Sequence, residues 1–267
     1  MNNKSVVVTG STRGIGFGLA REFLRAGCSV TVIGRTPAAV EKAMAELGGG
    51  DRLTGVAGDV SRRTDVQVMW DHAVATFGKV DIWINNAGID LTPMPFWETS
   101  EEDLRKIIDV NLIGCMNGDA VAITGMLAQG FGYVWNMEGF GSSGMTSPGK
   151  APYGSTKYAL TYLTKSLIKE LKDKPVGIGY LSPGIVVTDL LINDLSPEQL
   201  KKLARTYNIL GDTVETVTPM LAQGVLETDK SGKRVAWLTP AKAGMRFATA
   251  RFKKRDVLGD AGVQVPS

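Results

Sequence analysis

Residues 4–9, Lys-Ser-Val-Val-Val-Thr, form a short run rich in β-branched residues. Apolar character on both faces predicts a strand buried inside a parallel sheet. Gly10, Gly14 and Gly16 follow at GxxxGxG spacing, and Phe17–Gly27 then shows helical spacing. Strand, glycine turn and helix in that order give a glycine motif structural context. Glycines let the backbone approach a pyrophosphate closely, and a helix N-terminus offers free N–H groups to it. A plain tight turn between strand and helix is the other reading of this segment. If the turn holds a dinucleotide, Gly10, Ser11, Thr12, Arg13, Gly14, Ile15 and Gly16 line it.

The same rhythm continues along the chain. Strands are expected over 29–33, 53–58, 80–84, 132–136, 177–181 and 235–238, with helical stretches between most of them, including one over 101–128. Repeated strand–helix units predict an α/β fold: a Rossmann-type, doubly wound parallel sheet with helices on both faces. The 267 residues suit one domain spanning 1–267. Residues 190–230 break the rhythm and are expected to be a helical substrate lid. Residues 241–267 form a basic C-terminal tail.

In such a sheet, ligands bind at the carboxyl ends of the strands. The second strand ends in Gly34-Arg35-Thr36, with no acid to hold a ribose 2′-hydroxyl. Arg35 and Arg13 suit a 2′-phosphate instead, because guanidinium forks match phosphate oxygens. That favours NADPH/NADP over NAD; two solvated arginines are the plainer alternative. Asp59, followed by Val60, ends the third strand, where an acid can touch a base edge or cap the next helix. Asn85-Asn86-Ala87-Gly88 ends the fourth. Asn111 lies in an apolar helical run, where an amide is costly to bury unless paired.

Tyr153 and Lys157 stand at i and i+4, so a helix puts both on one face. An ammonium nearby favours the phenolate and lowers the tyrosine's pKa. A tyrosine so tuned exchanges protons with an oxygen near neutral pH.

Composition excludes other classes. A net charge of +3 gives no case for nucleic-acid binding. Two distant cysteines, Cys28 and Cys115, fit reduced, buried thiols and a cytoplasmic location. One histidine, His72, excludes a His-rich metal site, and no metal is expected. No secretory signal or long uninterrupted apolar run is apparent. The tail segment 241–255 is basic and modestly amphipathic: a solvated helix, or a segment lying on a membrane.

Thr9-Gly10-xxx-Gly14-x-Gly16, Asn85–Gly88, Asn111, Tyr153-xxx-Lys157 and Pro183-Gly184 together resemble the classical short-chain dehydrogenase/reductase family over residues 4–190. The resemblance implies that the glycine turn, Arg35, Thr36, Asp59, Val60, Asn86, Ala87 and Gly88 hold the dinucleotide. It also implies that Pro183, Gly184, Val186 and Thr188 line the nicotinamide side. Tyr153 would be the general acid, Lys157 its tuning cation and ribose ligand, and Asn111 a support of the proton relay. The family's catalytic serine would fall at Phe140, so Ser142 is the candidate hydroxyl, with Ser143 in reserve.

Asn136–Gly144, the Tyr153–Lys157 context, Ser182–Leu191 and Ala236–Pro240 are similar to the chlorophyll b reductases of plants. This implies reduction of a 7-formyl group to a hydroxymethyl group with NADPH. Leu190, Leu191, Ile192, Tyr207, Ile209 and Leu210 would give the lid an apolar face. The alternatives are another ketone or aldehyde, such as a 3-oxoacyl or steroid-like compound, or a non-catalytic dinucleotide sensor. Family members commonly pack as homodimers or homotetramers through the helices after the fourth and fifth strands.

Overall fold

The computed structural model describes residues 3–265. Seven strands lie in one parallel sheet: β1 (Ser5–Val8), β2 (Ser29–Gly34), β3 (Leu53–Ala57), β4 (Ile82–Asn85), β5 (Gly132–Met137), β6 (Val176–Ser182) and β7 (Arg234–Ala236). Their order is β3-β2-β1-β4-β5-β6-β7. The chain runs outward from β1 through β2 to β3, then crosses to β4 on the other side of β1. That reversal opens a crevice above the ends of β1 and β4, where a doubly wound sheet binds ligands.

Helices α1 (Gly14–Arg25), α2 (Pro37–Leu47), α3 (Arg63–Phe77), α4 (Glu101–Ile108), α5 (Gly114–Gln129) and α6 (Ala151–Glu170) cover the sheet. Alternate residues of β1 feed opposite cores. Val6 and Val8 pack with Leu19 and Phe23 of α1, whereas Val7 packs with Met69 of α3 and Met126 of α5. A strand covered on both faces has no polar side, which explains the unbroken apolar run.

Past β6 the chain forms α7 (Asp189–Ile192), α8 (Pro197–Leu210) and α9 (Val214–Leu226). The expected lid over 190–230 is therefore too long. Val217 and Leu221 of α9 are fully buried in the core beside α1, so α9 is a sheet-covering helix. Only α7 and α8 overhang. The tail is α10 (Pro240–Thr249), a turn, and α11 (Val257–Asp260). Val257 and Leu258 join Val187, Leu200 and Tyr207 in a small core behind α8.

The single helix expected over 101–128 runs from Glu101 to Gln129, with a widened turn inside it. α4 and α5 are joined by a π-helical turn, Asp109–Ile113. The wider turn carries Asn111, and such turns are frequent at functional sites. The continuous stretch Glu101–Gln129 is long and apolar enough by composition to cross a membrane, but half of its most apolar window is buried in this fold. Met126 and Ala122 belong to the core, which accounts for that apolarity.

Candidate active site

The glycine turn is shaped by contacts that admit no side chain. Gly10 and Gly14 hold φ of +63° and +57°, which favours glycine. A methyl on Gly10 would come within 2.8 Å of the Ala87 α-carbon, and one on Gly16 would meet the Gly10 carbonyl. The loops after β1 and β4 are thus in direct contact. Thr9 Oγ accepts from the backbone N–H groups of Asn86 (2.9 Å) and Ala87 (3.0 Å). The Asn86 amide donates to the carbonyls of Thr9 and Gly10 at 2.8 and 3.1 Å. Arg13, the N-cap of α1, makes no side-chain cap bond to the first-turn N–H groups. A closely approachable glycine backbone leading into such a helix start fits a pyrophosphate.

Several residues expected around this cradle have other work. Ser11 Oγ donates to Val8 O (2.6 Å) and accepts from Ile33 N (2.9 Å), while Ser11 N donates to Ile33 O (2.9 Å). Ser11 ties the end of β1 to β2. Val60 packs its side chain into the core, and Asn117 takes its carbonyl. Asp59 Oδ1 accepts from Ser61 N and Oγ at 2.9 and 2.7 Å, in the turn ahead of α3, whose N-cap Arg62 makes no side-chain cap bond. Thr36 caps α2 by accepting from Ala39 N. Ile15 packs against the core.

Arg13 and Arg35 are both exposed. Thr12 beside Arg13 packs on Gly34 beside Arg35, which brings the two loops together. Arg13 Nη1 lies 3.5 Å from Asp189 at the start of α7. A methyl on Gly14 would touch Thr188 at 3.5 Å. Pro183 and Val186 are buried, and Gly184 holds φ of +75° against Leu238. The expected dinucleotide segments are therefore gathered at one edge of the sheet.

At the ends of β4 and β5 the chemistry changes. The Asn111 amide donates to Ile89 O (2.9 Å) and accepts from Ile89 N (2.8 Å). It also donates to Thr156 Oγ at 3.3 Å, and that hydroxyl donates to Tyr153 O at 2.7 Å. The π-helical turn thus fixes the backbone of the loop after β4 and reaches the first turns of α6.

Tyr153 is half-buried, and its hydroxyl lies against Gly139. Lys157 is buried, donates from Nζ to Met137 O at 3.2 Å, and sits 5.8 Å from the centre of the Tyr153 ring. Burial pushes the Tyr153 hydroxyl well above the ordinary phenol range, and the Asp90 carboxylate adds to the rise. Burial pulls Lys157 down, against the charges of Cys115, Asp90 and Glu138. The i, i+4 spacing aligned the two side chains but carried no information on their desolvation.

Ser142 is buried; its Oγ accepts from Gly139 N (3.1 Å) and donates to Lys157 O at 3.4 Å. Ser143 is exposed. Ser142 therefore closes the 139–142 turn onto α6, and the atom set against the Tyr153 hydroxyl is the Gly139 α-carbon. Sequence reasoning passed over Gly139, because nothing in a glycine-rich loop marks which glycine must stay bare.

Two more features were missed. Lys150 Nζ lies 2.6 Å from Asp90 Oδ2, pinning the loop before Tyr153 to the loop after β4. Asp119, buried in α5, accepts from the Asn85 and Asn136 amides at 2.8 and 3.0 Å. An acid inside an apolar helical stretch was the available signal for that network. α8 spans this mouth: Gln199 Nε2 donates to Pro93 O at 3.4 Å, and the Asp90 charge reaches Tyr207. Tyr207, Leu191 and Ile192 are packed into the core behind α8, so they are withdrawn from the expected apolar lid face; Leu190 stays exposed.

Residues 4–199 match the short chain dehydrogenase family. This chain belongs to that family. It has the parallel-sheet fold expected from the sequence. It is 35% identical to the probable chlorophyll(ide) b reductase NYC1 of Arabidopsis thaliana, over 97% of this chain and 55% of that protein. It is 36% identical to the chlorophyll(ide) b reductase NOL of the same plant, over 90% of this chain and 71% of that protein. The chain spans about half the length of the NYC1-type relatives it matches.

Among solved short-chain structures, it resembles the Brucella melitensis 3-ketoacyl-(acyl-carrier-protein) reductase complexed with NADH. That likeness has a TM-score of 0.74 and 26% identity, over 90% of this chain and 92% of that one. It also resembles a closed form of serine dehydrogenase complexed with NADP+, with a TM-score of 0.77 and 26% identity, over 89% and 95%. Both of those structures hold a nicotinamide dinucleotide.

Proposed function

We propose that this chain is an NADPH-dependent carbonyl reductase whose substrate is the 7-formyl group of chlorophyll b or chlorophyllide b, reduced to the 7-hydroxymethyl. One observation carries the substrate reading. The family match ends at residue 199, whereas the similarity to chlorophyll(ide) b reductases covers 90–97% of the chain and so includes much of what lies beyond. Those later residues complete α8 and form the tail. Exposed Phe140 and Met145 on the loop before Tyr153, with Leu190 at the lid, suit a broad apolar substrate.

A reduced nicotinamide, when bound, is a source of hydride for a carbonyl carbon. Gly10–Gly16 and Asn86–Gly88 would hold the dinucleotide, with Arg13 and Arg35 on a 2′-phosphate. Tyr153 gives its proton to the developing alkoxide oxygen. A phenol is protonated at neutral pH, so Tyr153 holds the proton that the alkoxide takes. Ser142 turns its hydroxyl from the long 3.4 Å contact with Lys157 O toward that oxygen and shares the charge. Asn111 steadies the loop and helix that frame the site. The exposed Tyr158 and Tyr162 of α6 and Met116 of α5 support a homodimer or homotetramer through those helices. The buried thiols Cys28 and Cys115 support a reducing, cytoplasmic setting.

The test is incubation with chlorophyllide b and NADPH, followed by absorption spectroscopy. Conversion to the hydroxymethyl spectrum supports the reading. No conversion, with turnover of 3-oxoacyl or steroid ketones instead, would replace the substrate and keep the reductase.

A further inference from the structure

α10 and the turn after it carry large apolar side chains with no cover. Met245 is 61% exposed, Phe247 55% and Phe252 85%. Between Thr239 and Arg255 there is no Asp or Glu, but there are six cations: Lys242, Arg246, Arg251, Lys253, Lys254 and Arg255.

Lys242 lies over the Trp237 ring, and the other five cations divide into two sets. Arg246 and Arg255 hold the tail in place. Both reach the buried Asp212 at 2.6 Å, where the Trp237 indole N–H also donates. The same two guanidinium groups donate to the carbonyls of Ile209, Leu210 and Gly211 at the C-terminal end of α8. Arg251, Lys253 and Lys254 are exposed, and among the described residues they form no ion pair. The segment is thus fixed from inside, while its outer residues interleave aromatic rings and free positive charge.

We propose that this segment, through Phe247 and Phe252 with Arg251, Lys253 and Lys254, docks on an anionic lipid bilayer. Aromatic side chains enter the interfacial zone and cations meet acidic headgroups, and neither requires a shaped groove. A second copy of the chain is a poor occupant, because a two-fold contact would set these cations against themselves. The anchor at the end of α8 gives the contact a consequence. The start of α8 reaches Pro93 at the substrate mouth, so a bilayer-bound tail holds the lid helix near the membrane. The inference does not depend on which carbonyl is reduced.

The full chain is sedimented with vesicles of phosphatidylcholine containing about 30% phosphatidylglycerol, and with pure phosphatidylcholine vesicles, at low and high salt. Phe247→Ser/Phe252→Ser and Lys253→Glu/Lys254→Glu serve as variants, with melting temperature and dinucleotide binding as checks of the fold. The expected result is binding to the anionic vesicles, weakened by salt, and lowered at least about tenfold in each variant. Absence of binding to anionic vesicles would overturn the proposal, as would variants that bind unchanged. Variants that lower the oligomer mass in light scattering while lipid binding persists would also overturn it and assign the face to a copy of the chain.

Discussion

The α-carbon of Gly139 faces the hydroxyl of Tyr153 so closely that a methyl group on it would stand 2.5 Å from the phenolic oxygen. The same methyl would lie 3.2 Å from Lys157 Cε. Gly139 thereby sets how near the catalytic loop and the proton donor come. Gly139→Ala must push one of them away. We expect kcat to fall about 100-fold, the usual cost of a misplaced catalytic group, while dinucleotide binding holds. Steady-state kinetics with a fluorescence titration of the cofactor would show it; kcat within twofold of the parent would mean that the hydroxyl is free to move.

Asp90 acts on Tyr153 through charge. Its carboxylate raises the phenol's pKa, second only to burial. An acid works below its pKa and fails above it, so with Tyr153 as the proposed acid reduction has an alkaline limit set by that group. Asp90→Asn removes the negative charge and leaves Lys150 without its 2.6 Å partner. Both effects lower the phenol's pKa. The alkaline limb of kcat/KM for reduction should therefore move to lower pH. A limb that stays put or moves up would contradict the account.

In the proposed function Arg13 and Arg35 carry the cofactor preference. Replacing Arg35 with Asp should weaken NADPH at least about tenfold, consistent with losing a charge-assisted hydrogen bond, and leave NADH unaffected or improved. Arg13→Ala should act in the same direction, while also freeing Asp189. Equal losses for the two cofactors would show that the arginines serve the fold rather than the 2′-phosphate.

Asp119 makes a stability prediction. Burial lifts its pKa from the ordinary carboxylate range to about 7, against the two amide donors that favour the carboxylate. Between about pH 4 and 7 the folded protein keeps a proton on this group that the unfolded chain has released. Stability from this group is therefore present at the acid end and declines as pH rises through that window, levelling off above it. Asp119→Asn should remove that slope. It should also cost about 1–3 kcal/mol at any pH, because its amide sets a donor against those of Asn85 and Asn136. Urea midpoints at several pH values would measure both effects.

The residues that announced the fold did so through pattern. Val6–Val8, Gly10–Gly16 and the recurrent apolar stretches each obey one local rule, and burial on both faces of the sheet enforces all of them together. Tyr153 and Lys157 were visible because helical spacing aligns them. The π-helical turn at Asn111 was hidden, since one extra residue per turn hardly alters helical periodicity. The Asp90–Lys150 pair joins residues sixty positions apart, which no local pattern encodes. The helix α9 was read as lid because its loop neighbours are irregular, although Val217 and Leu221 belong to the core. Ser142 was found by its offset from Tyr153, but its hydroxyl partners depend on how the 139–142 turn folds.

The most direct test of the central claim is Tyr153→Phe, assayed for NADPH-dependent carbonyl reduction alongside the dissociation constant for NADPH. Removing one oxygen should reduce turnover by at least about 100-fold, within the range attributed to a positioned general acid. The dissociation constant should change less than about threefold, because a lone hydroxyl far from the phosphates contributes little to holding the dinucleotide. Turnover close to that of the parent, with NADPH still bound, would contradict the assignment of Tyr153 as the proton donor.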